Sequence, residues 1–541
     1  MLKTSSLAKW GVAVLLLSSL SSCEDILEQY FPKPTPPPTI PTFPSLGLDI
    51  PFYTLSGGTK LDAYSTKDPA TRTASVSITG LGSGETLLAI DFRPATGQLY
   101  GVSSASRLYV INQNTGAART VGTGAFSPAL GGNLVGFDFN PTVDRIRVVT
   151  STGQNLRLNP ETGTVAATDG NLNGAASATI TGAAYTNNTA GATTTVLYDL
   201  DPATDQLYRQ DPPNDGTLVP VGSLNLNISG DGGFDIDART GTALGLYAVN
   251  GNPTLFAVDL TTGTARPLAQ YAASSGYTGL AIPTQPVAYA VGSYSQSARV
   301  NSSILVVFNP MEGDTYISKP ITGLLNTETL SGIDFRPSNG QLYVVTGSGR
   351  LYTVNAATAE ATFVTSFRLP LTPSGFSGGV GGFDFDPVTD QIRIIGAAGT
   401  NSLLNPVDGT IVPEAYLPAA LGIEAAAYDN NFAGATASKL YGVGLTGSTL
   451  FELNQPTAGA AREVGKLGPN FTGTRVHFDI GGTSNTGYVL LNIVRASVGV
   501  FARTYTINLA TGTLTATGRG DLPVPLLLGN DIYGFTVGLG F

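Results

Sequence analysis

The sequence is poor in the side chains that most enzymes and metalloproteins use. It has one cysteine, one histidine and one tryptophan in 541 residues. Because the only cysteine is Cys23, near the start of the chain, the sequence excludes an intramolecular disulfide and cysteine catalysis in the folded body. The only histidine, His477, excludes zinc or iron sites built from several histidines and leaves at most one Ser–His pair. Stability must therefore come from the apolar core.

The chain also has few charges, and those it has are mostly acidic. Charged residues make up 12% of the sequence and the formal net charge is −10. Nucleic acids and anionic lipid headgroups bind basic faces, so the sequence excludes nucleic acid as a partner. With 67 glycines and no amphipathic helical stretch of useful length, the composition is typical of tight turns and short strands.

The first 22 residues predict a secretion signal. Two lysines precede an apolar stretch of about ten residues, which is too short to span a bilayer and is followed by two serines. The segment "LSSC", which ends at Cys23, resembles the lipobox of bacterial lipoproteins, in which the cysteine thiol is lipidated. We therefore expect residues 1–22 to be removed and Cys23 to anchor the protein to a membrane. An ordinary signal peptide with an unrelated cysteine is the alternative.

Residues 23–45 predict an extended tether between the anchor and the folded body. The stretch "FPKPTPPPTIPTFP" favours a polyproline conformation, which spaces a domain away from its attachment point. Glu24 and Asp25, directly after the cysteine, resemble export signals on surface lipoproteins of Bacteroidetes-type bacteria. We therefore expect an outer-membrane lipoprotein of the bacterial cell envelope that faces either the periplasm or the cell surface.

The rest of the chain is duplicated. The stretch "AIDFRPATGQLYGV", which begins at Ala89, recurs 243 residues later as "GIDFRPSNGQLYVV". Likewise, "GFDFNPTVDRIRVV" around Asp138 recurs 246 residues later as "GFDFDPVTDQIRII". The two copies are in register throughout, so we predict two halves, residues 46–284 and residues 285–541.

Each half contains a finer repeat of about 45 to 50 residues, shown by the 47 residues between Asp91 and Asp138. A unit holds two hairpins, one with a Pro and Gly turn ("IDFRPATGQLYGV") and one with a Thr-Gly turn ("LYVINQNTGAARTV"). Two hairpins give four antiparallel strands, the size of a β-propeller blade.

About five such units fit in each half, so the sequence predicts an all-β fold of two tandem five-bladed rings. One ten-bladed ring is the alternative, and a pair of β-sandwiches or a β-helix stays open. The pentapeptides "GLDIP" from Gly47 and "GLAIP" from Gly279 are similar, as expected if the same strand position occurs where a ring begins and where it closes. This similarity favours two separate rings.

These motifs, together with "NLRLNPETGTV", resemble the bacterial DUF4394 family, a domain of unknown function. Both halves carry the whole pattern, so the resemblance indicates two tandem copies. The family has no established activity or catalytic residues, so the resemblance implies neither.

Carboxylates are the remaining candidates for chemistry. Six aspartates recur at one position per unit between apolar residues: Asp91, Asp138, Asp235, Asp334, Asp384 and Asp479. If they line a central channel, they form a metal site for a hard cation such as calcium, which prefers oxygen ligands. The sequence favours a structural role over the metal site, and in that role each aspartate accepts backbone N–H bonds from its own turn. No other cofactor is expected.

Three functions fit this pattern. The leading hypothesis is a lipid-anchored propeller that binds or scaffolds a protein or a glycan. The second is an enzyme that acts on polysaccharide through paired carboxylates, and the third is a purely structural envelope protein.

His477 lies in "TRVHFDI", a predicted strand, and we expect no catalytic role for it.

Overall fold

The structure is a computed structural model. It describes residues 43–297, 300–312, 315–325, 328–368, 380–396, 399–455, 459–468, 475–495, 499–518 and 532–541. The predicted signal segment, Cys23 and the tether as far as residue 42 lie outside the described residues.

The described chain forms ten antiparallel sheets of four strands each. Five of these sheets make the first ring, which contains strands β1 to β20. Blade 1 is β1 (Pro51–Ser56), β2 (Lys60–Ser65) and β3 (Ala74–Ser77) with β20 (Tyr277–Ala281); blade 2 is β4 (Leu87–Phe92), β5 (Leu99–Ser103), β6 (Leu108–Ile111) and β7 (Ala118–Val121); blade 3 is β8 (Val135–Asn140), β9 (Arg145–Thr150), β10 (Asn155–Leu158) and β11 (Val165–Thr168); blade 4 is β12 (Gly182–Tyr185), β13 (Leu197–Asp201), β14 (Gln206–Gln210) and β15 (Leu218–Ser223); blade 5 is β16 (Ser229–Ile236), β17 (Ala243–Val249), β18 (Asn252–Val258) and β19 (Ala265–Gln270).

The second ring repeats this arrangement with strands β21 to β40. Blade 6 is β21 (Ala288–Ser297), β22 (Val300–Phe308) and β23 (Tyr316–Pro320) with β40 (Ile532–Val537); blade 7 is β24 (Leu330–Arg336), β25 (Gln341–Thr346), β26 (Arg350–Val354) and β27 (Ala361–Ser366); blade 8 is β28 (Val380–Phe385), β29 (Ile392–Gly396), β30 (Asn401–Leu404) and β31 (Ile411–Pro413); blade 9 is β32 (Ile423–Tyr428), β33 (Leu440–Gly444), β34 (Thr449–Gln455) and β35 (Ala460–Lys466); blade 10 is β36 (Val476–Ile480), β37 (Gly487–Arg495), β38 (Gly499–Ile507) and β39 (Leu514–Ala516).

Each ring closes by pairing its last strand with its first blade. In the first ring β20 pairs antiparallel with β1, and in the second β40 pairs with β21. The inner strands then contact one another in two closed circles, β4, β8, β12, β16 and β20 in one and β24, β28, β32, β36 and β40 in the other. The prediction of two five-bladed rings is confirmed.

One detail of the sequence argument is wrong. Gly279 lies on the inner strand β20, whereas Gly47 lies in irregular chain before β1. The two similar pentapeptides therefore do not occupy one strand position. The ring closes because β20 supplies the inner strand that β1 to β3 lack.

Burial explains why inner and outer strands differ in sequence. An inner strand lies between two neighbouring blades, so β4 and β5 are apolar and almost fully buried on both faces. The outermost strand β7 has two exposed residues between two buried ones. The helical turns with described bounds are the short 3₁₀ turns Pro213–Asp215, Ala273–Ser275 and Ala419–Leu421. No helix in the described part of the chain has the length and apolar character needed to cross a bilayer.

The two rings pack against each other through the repeated turns that follow β4 and β24. The guanidinium of Arg93 is fully buried and donates to the carbonyl oxygen of Gly340 at 3.0 Å. The hydroxyl of Tyr289 donates to the Ala95 carbonyl oxygen at 2.9 Å, and Gln341 donates to Glu161 at 3.1 Å. The two rings therefore share one continuous contact surface.

Neighbouring blades also meet at the Thr-Gly turns. Gly163 lies in the turn between β10 and β11 with φ +68°, and a Cβ there would lie 2.2 Å from the Val121 carbonyl oxygen on β7. The preceding Asn159 side chain accepts the Glu161 amide at 2.8 Å and shapes the turn. The glycine is needed both for its positive φ and for this close approach.

Replacing Gly163 with alanine tests the contact between blades. Gly241 is the matched control, since it has φ +70° in a turn closed by the same kind of hydrogen bond but a Cβ there meets nothing within 4 Å. We expect Gly241→Ala to cost about 1 to 2 kcal/mol of unfolding free energy, because only the left-handed backbone is penalised. Gly163→Ala should cost about 1 to 3 kcal/mol more, from overlap with blade 2. Urea unfolding measures both, and equal losses would contradict the contact.

Candidate functional site

The six recurrent aspartates form two clusters, one at the centre of each ring. In each cluster, one carboxylate oxygen per residue lies within 4.8 Å of the others. All six side chains are at most 2% exposed. The clusters are Asp91, Asp138 and Asp235 in the first ring and Asp334, Asp384 and Asp479 in the second.

Small residues allow the inner strands to converge around a narrow axis. Glycine stands two residues before four of the six aspartates, at Gly136, Gly233, Gly332 and Gly382. A Cβ at Gly136 would lie 2.9 Å from the Ala183 amide nitrogen, and one at Gly233 would lie 2.0 Å from the Leu280 amide nitrogen. The close approach of the strands brings the carboxylates together.

Most of these carboxylates join two blades. Asp235 accepts the amide of the next residue, Ile236, and the amide of Ile282 after β20, both at 2.6 Å. Asp91 likewise accepts the amides of Phe92 at 2.7 Å and Phe139, on the next blade, at 3.0 Å. We call this contact the interblade carboxylate bond.

The second ring repeats the interblade carboxylate bond. Asp334 accepts the Phe385 amide and Asp479 accepts the Val537 amide, both at 2.7 Å. The prediction that each aspartate accepts amides of its own turn is wrong, because the observed donors are the next residue and a residue of the neighbouring blade. The physical reason is that the carboxylate points along the ring towards the adjoining inner strand rather than back to its hairpin.

Asp138 departs from this pattern. No described residue donates a hydrogen bond of ordinary geometry to either of its carboxylate oxygens, although the side chain is fully buried. The Tyr185 amide of the next blade lies close enough to lower its pKa. In the second ring the corresponding amide, Tyr428, does donate to Asp384, at 3.1 Å.

Burial raises the pKa of every carboxyl group in the two clusters. It is the largest cause in all six, and the charges of the neighbouring aspartates raise the pKa of Asp91, Asp138, Asp334 and Asp384 further. The pKa of Asp235 rises to about 7 and that of Asp479 to about 6. Three buried carboxylates at this separation cannot all ionise, so each cluster must hold protons or a cation.

The clusters differ in the residue at the fifth inner strand. In the second ring the Thr536 hydroxyl lies 3.0 Å from an Asp334 oxygen and 2.7 Å from an Asp479 oxygen. A hydroxyl has one proton, so it donates to one carboxyl and accepts from the other in its protonated form. The first ring has Ala281 at this position. Sequence reasoning missed the difference, although the aligned segments "GLAI" and "GFTV" carry it.

A small cavity lies between the inner strands of each ring, lined by residues that directly precede the aspartates rather than by the aspartates themselves. Its volume is about 10 Å³ in the first ring and about 20 Å³ in the second, room for roughly one water. His477, on β36, lines the second cavity. Burial, together with the charge of Arg475, lowers its pKa to about 4, so the imidazole is neutral at physiological pH. A sugar ring does not fit in either space.

A larger cavity of about 280 Å³ lies where the rings meet. Thr189 and Ala190 of the first ring form one side. The segment that joins the rings and blade 6 form the other side, with Gln285, Val307, Phe308, Asn309, Glu312 and Tyr316. We call this space the junction pocket. It could not be predicted from the sequence, because its residues are far apart in the chain and belong to no repeated motif.

One further buried acid lies outside the clusters. Asp199, on β13, is fully buried, and no described residue bonds either of its oxygens. Burial raises its pKa to about 8, and the nearby Arg147 offsets part of the rise. The second ring has Gly442 at the corresponding position. Because this aspartate does not recur in the second ring, the repeated pattern of the sequence does not reveal it.

The raised pKa of Asp199 predicts a pH-dependent stability. The folded state holds the proton more tightly than the unfolded chain, so acidification from pH 8 to pH 5 should stabilise the protein, and the stability should be lost as pH rises towards 8. The slope of the unfolding free energy against pH should become smaller by about 1 kcal/mol per pH unit in Asp199→Asn. Asp259→Asn is the control, because Asp259 is exposed and its pKa is lowered. Unchanged slopes in urea titrations of Asp199→Asn would contradict the assignment.

Comparison with known proteins fits the duplicated architecture. The sequence matches the domain of unknown function DUF4394 over residues 60–281 and again over residues 304–524, one match within each ring. No curated protein matches the chain significantly. The two matches together cover most of the sequence, and the chain therefore belongs to the DUF4394 family, of which it contains two tandem copies.

Proposed function

We propose that this protein is a lipid-anchored binding or scaffolding module of the bacterial cell envelope, with the junction pocket as the place where a protein or glycan ligand is held. The observation that carries the proposal is the contrast between the cavities. The junction pocket has about 280 Å³, close to the lower size of ligand sites, while the axial cavities admit about one water.

The lining of the junction pocket suits a ligand that is partly apolar and partly polar. Val307, Phe308 and Tyr316 supply apolar and aromatic surface, and Gln285 and Asn309 supply amides. The Asn309 carbonyl oxygen is fixed by the Met311 amide at 2.9 Å, whereas its NH₂ group reaches Gln285 only at 3.4 Å. That long contact is weak enough to exchange for a ligand hydroxyl or carbonyl. One sugar ring or one protein side chain fits this description.

The buried carboxylates argue against polysaccharide cleavage by the axial clusters. General acid and base groups must reach the bond they act on. Asp138 and Asp384 are at most 2% exposed and lie beside cavities too small for a sugar. Among the described residues, the clusters therefore support the architecture rather than a hydrolytic reaction.

The membrane anchor is the second part of the proposal. It is supported by the lipobox-like "LSSC", by the proline-rich residues 23–45 and by the acids after Cys23, which are similar to signals in Bacteroidetes-type surface lipoproteins. Arg266 of blade 5 donates to the Ser45 carbonyl oxygen at 3.3 Å, which is where the tether meets the first ring. The protein would then face the periplasm or the outside from an outer membrane, with no role for nucleic acid.

Ligand binding can be tested with full-length protein, a panel of bacterial surface and cell-wall glycans, and extracted envelope proteins. Gln285→Ala should weaken binding of a retained probe up to about tenfold, because one hydrogen bond contributes about 0.5 to 1.5 kcal/mol. Ala190→Phe should abolish binding by filling the pocket. Val412→Ala, at a 52% exposed outer-strand position, is the control and should bind normally.

Three results would count against this proposal. Equal binding by all variants would show that the ligand binds outside the junction pocket. New reducing ends in the glycan assay, lost in Asp138→Asn or Asp384→Asn, would favour the enzyme. Retention of no probe would favour a purely structural envelope protein.

The anchor has a separate test. In a bacterial host that processes lipoproteins, the wild-type protein should incorporate labelled fatty acid and sediment with membranes. Cys23→Ala should lose the label and move to the soluble fraction, because the only lipidation site is gone. A Ser22→Ala variant controls for changes near the processing site. Membrane sedimentation of Cys23→Ala would show that the anchor is not this cysteine.

A further inference from the structure

We propose that the axial carboxylates of the first ring bind one divalent, oxygen-preferring cation, and that those of the second ring bind none. The cation would lie between Asp91, Asp138 and Asp235, beside the small axial cavity. The inference does not depend on the ligand of the junction pocket.

The unpartnered Asp138 is the first observation behind this site. Buried carboxylates are almost always hydrogen-bonded or bound to a metal, since an isolated one is costly to desolvate. Asp138 is fully buried, no described residue donates a hydrogen bond of ordinary geometry to its oxygens, and one of them belongs to the cluster. Apart from the nearby Tyr185 amide, the described residues offer these oxygens no donor, so the lone pairs of Asp138 are free to bind a cation.

The dimensions of the cluster agree with a cation. Calcium binds oxygens at about 2.3 to 2.6 Å, so two oxygens on opposite sides of the ion are about 4.8 Å apart. The three carboxylate oxygens all lie within 4.8 Å of one another. Asp91 and Asp235 are held in place by their interblade carboxylate bonds, so the site is preformed on rigid strands.

Charge also favours a divalent ion. Three ionised carboxylates in a buried site repel one another, and a doubly charged cation offsets most of that repulsion without protonating them. A site of this kind is selective for hard ions, because its ligands are carboxylate oxygens. The only histidine of the chain, His477, lines the axial cavity of the other ring.

Two contacts in the second ring explain why its cluster should bind no cation. Thr536 places a hydroxyl between Asp334 and Asp479, and the Tyr428 amide donates to Asp384. All three carboxyl groups therefore have partners within the protein, and the hydroxyl bridges two of them. The first ring has Ala281 at this position and so lacks the bridging hydroxyl.

The experiment counts ions bound to the full chain. Protein stripped with a chelator is dialysed against calcium, magnesium or manganese, and the retained metal is measured by elemental analysis and by calorimetric titration. The wild-type protein should retain one ion per chain. Asp138→Asn should retain none, and the matched second-ring variant Asp384→Asn should retain one.

The exchange of the two fifth-strand residues gives the strongest readout. Ala281→Thr places the hydroxyl in the first ring and should reduce the count to zero, while Thr536→Ala removes it from the second ring and should raise the count to two. Both changes are small, so circular dichroism and melting temperature will show whether each variant folds. In wild type the melting temperature should rise with cation concentration, and in Ala281→Thr it should not.

Two outcomes overturn the proposal. One is a wild-type chain that retains none of the three metals and whose melting temperature ignores them, which would mean that protons alone neutralise the cluster. The other is retained metal whose count is the same in wild type, Asp138→Asn and Ala281→Thr, which would place the ion elsewhere.

Discussion

The interblade carboxylate bond is the contact on which both rings depend. The edge of each inner strand that faces the axis has backbone amides without a partner in its own sheet, and a buried amide must be satisfied. Aspartates supply the acceptors: Asp91 takes the Phe139 amide and Asp235 takes the Ile282 amide. Because the donor always belongs to the next blade, the bond fixes the register between blades as well as satisfying the backbone. Glycines near the same depth let the strands come close enough to form it.

The carboxyl groups that form these bonds are buried close together, away from water. Three carboxyl groups meet on each axis, and burial raises the pKa of all of them, so the ring is stabilised only if protons or a cation neutralise the cluster. The two clusters differ at the fifth inner strand. Thr536 supplies a hydroxyl partner in the second ring, whereas Ala281 in the first ring has none. Because the chain is duplicated, each aspartate cluster serves as a control for the other. The larger junction pocket, which has both apolar and polar residues, forms where the two rings pack together.

Much of the fold could be predicted from repetition. The distance from Asp91 to Asp138 gave the blade period, and the Thr-Gly turns, such as that of Gly163, marked the outer hairpins. The partners of the aspartates could not be predicted, because a repeat fixes the position of a residue but not which neighbouring strand donates to it. The junction pocket and Asp199 were missed for a related reason, since neither recurs between the halves. The closure by β20 depends on pairing over more than 200 residues, which local patterns do not encode.

Amide hydrogen exchange tests the central claim most directly. The amides of Phe139, Ile282, Phe385 and Val537 each donate to an aspartate of the neighbouring blade. If these bonds close the rings, the four amides should exchange only on global unfolding, and Asp235→Asn should speed exchange at Ile282 far more than at Phe385. Exchange of the four amides at the rate of exposed loop amides in the folded protein would contradict the account.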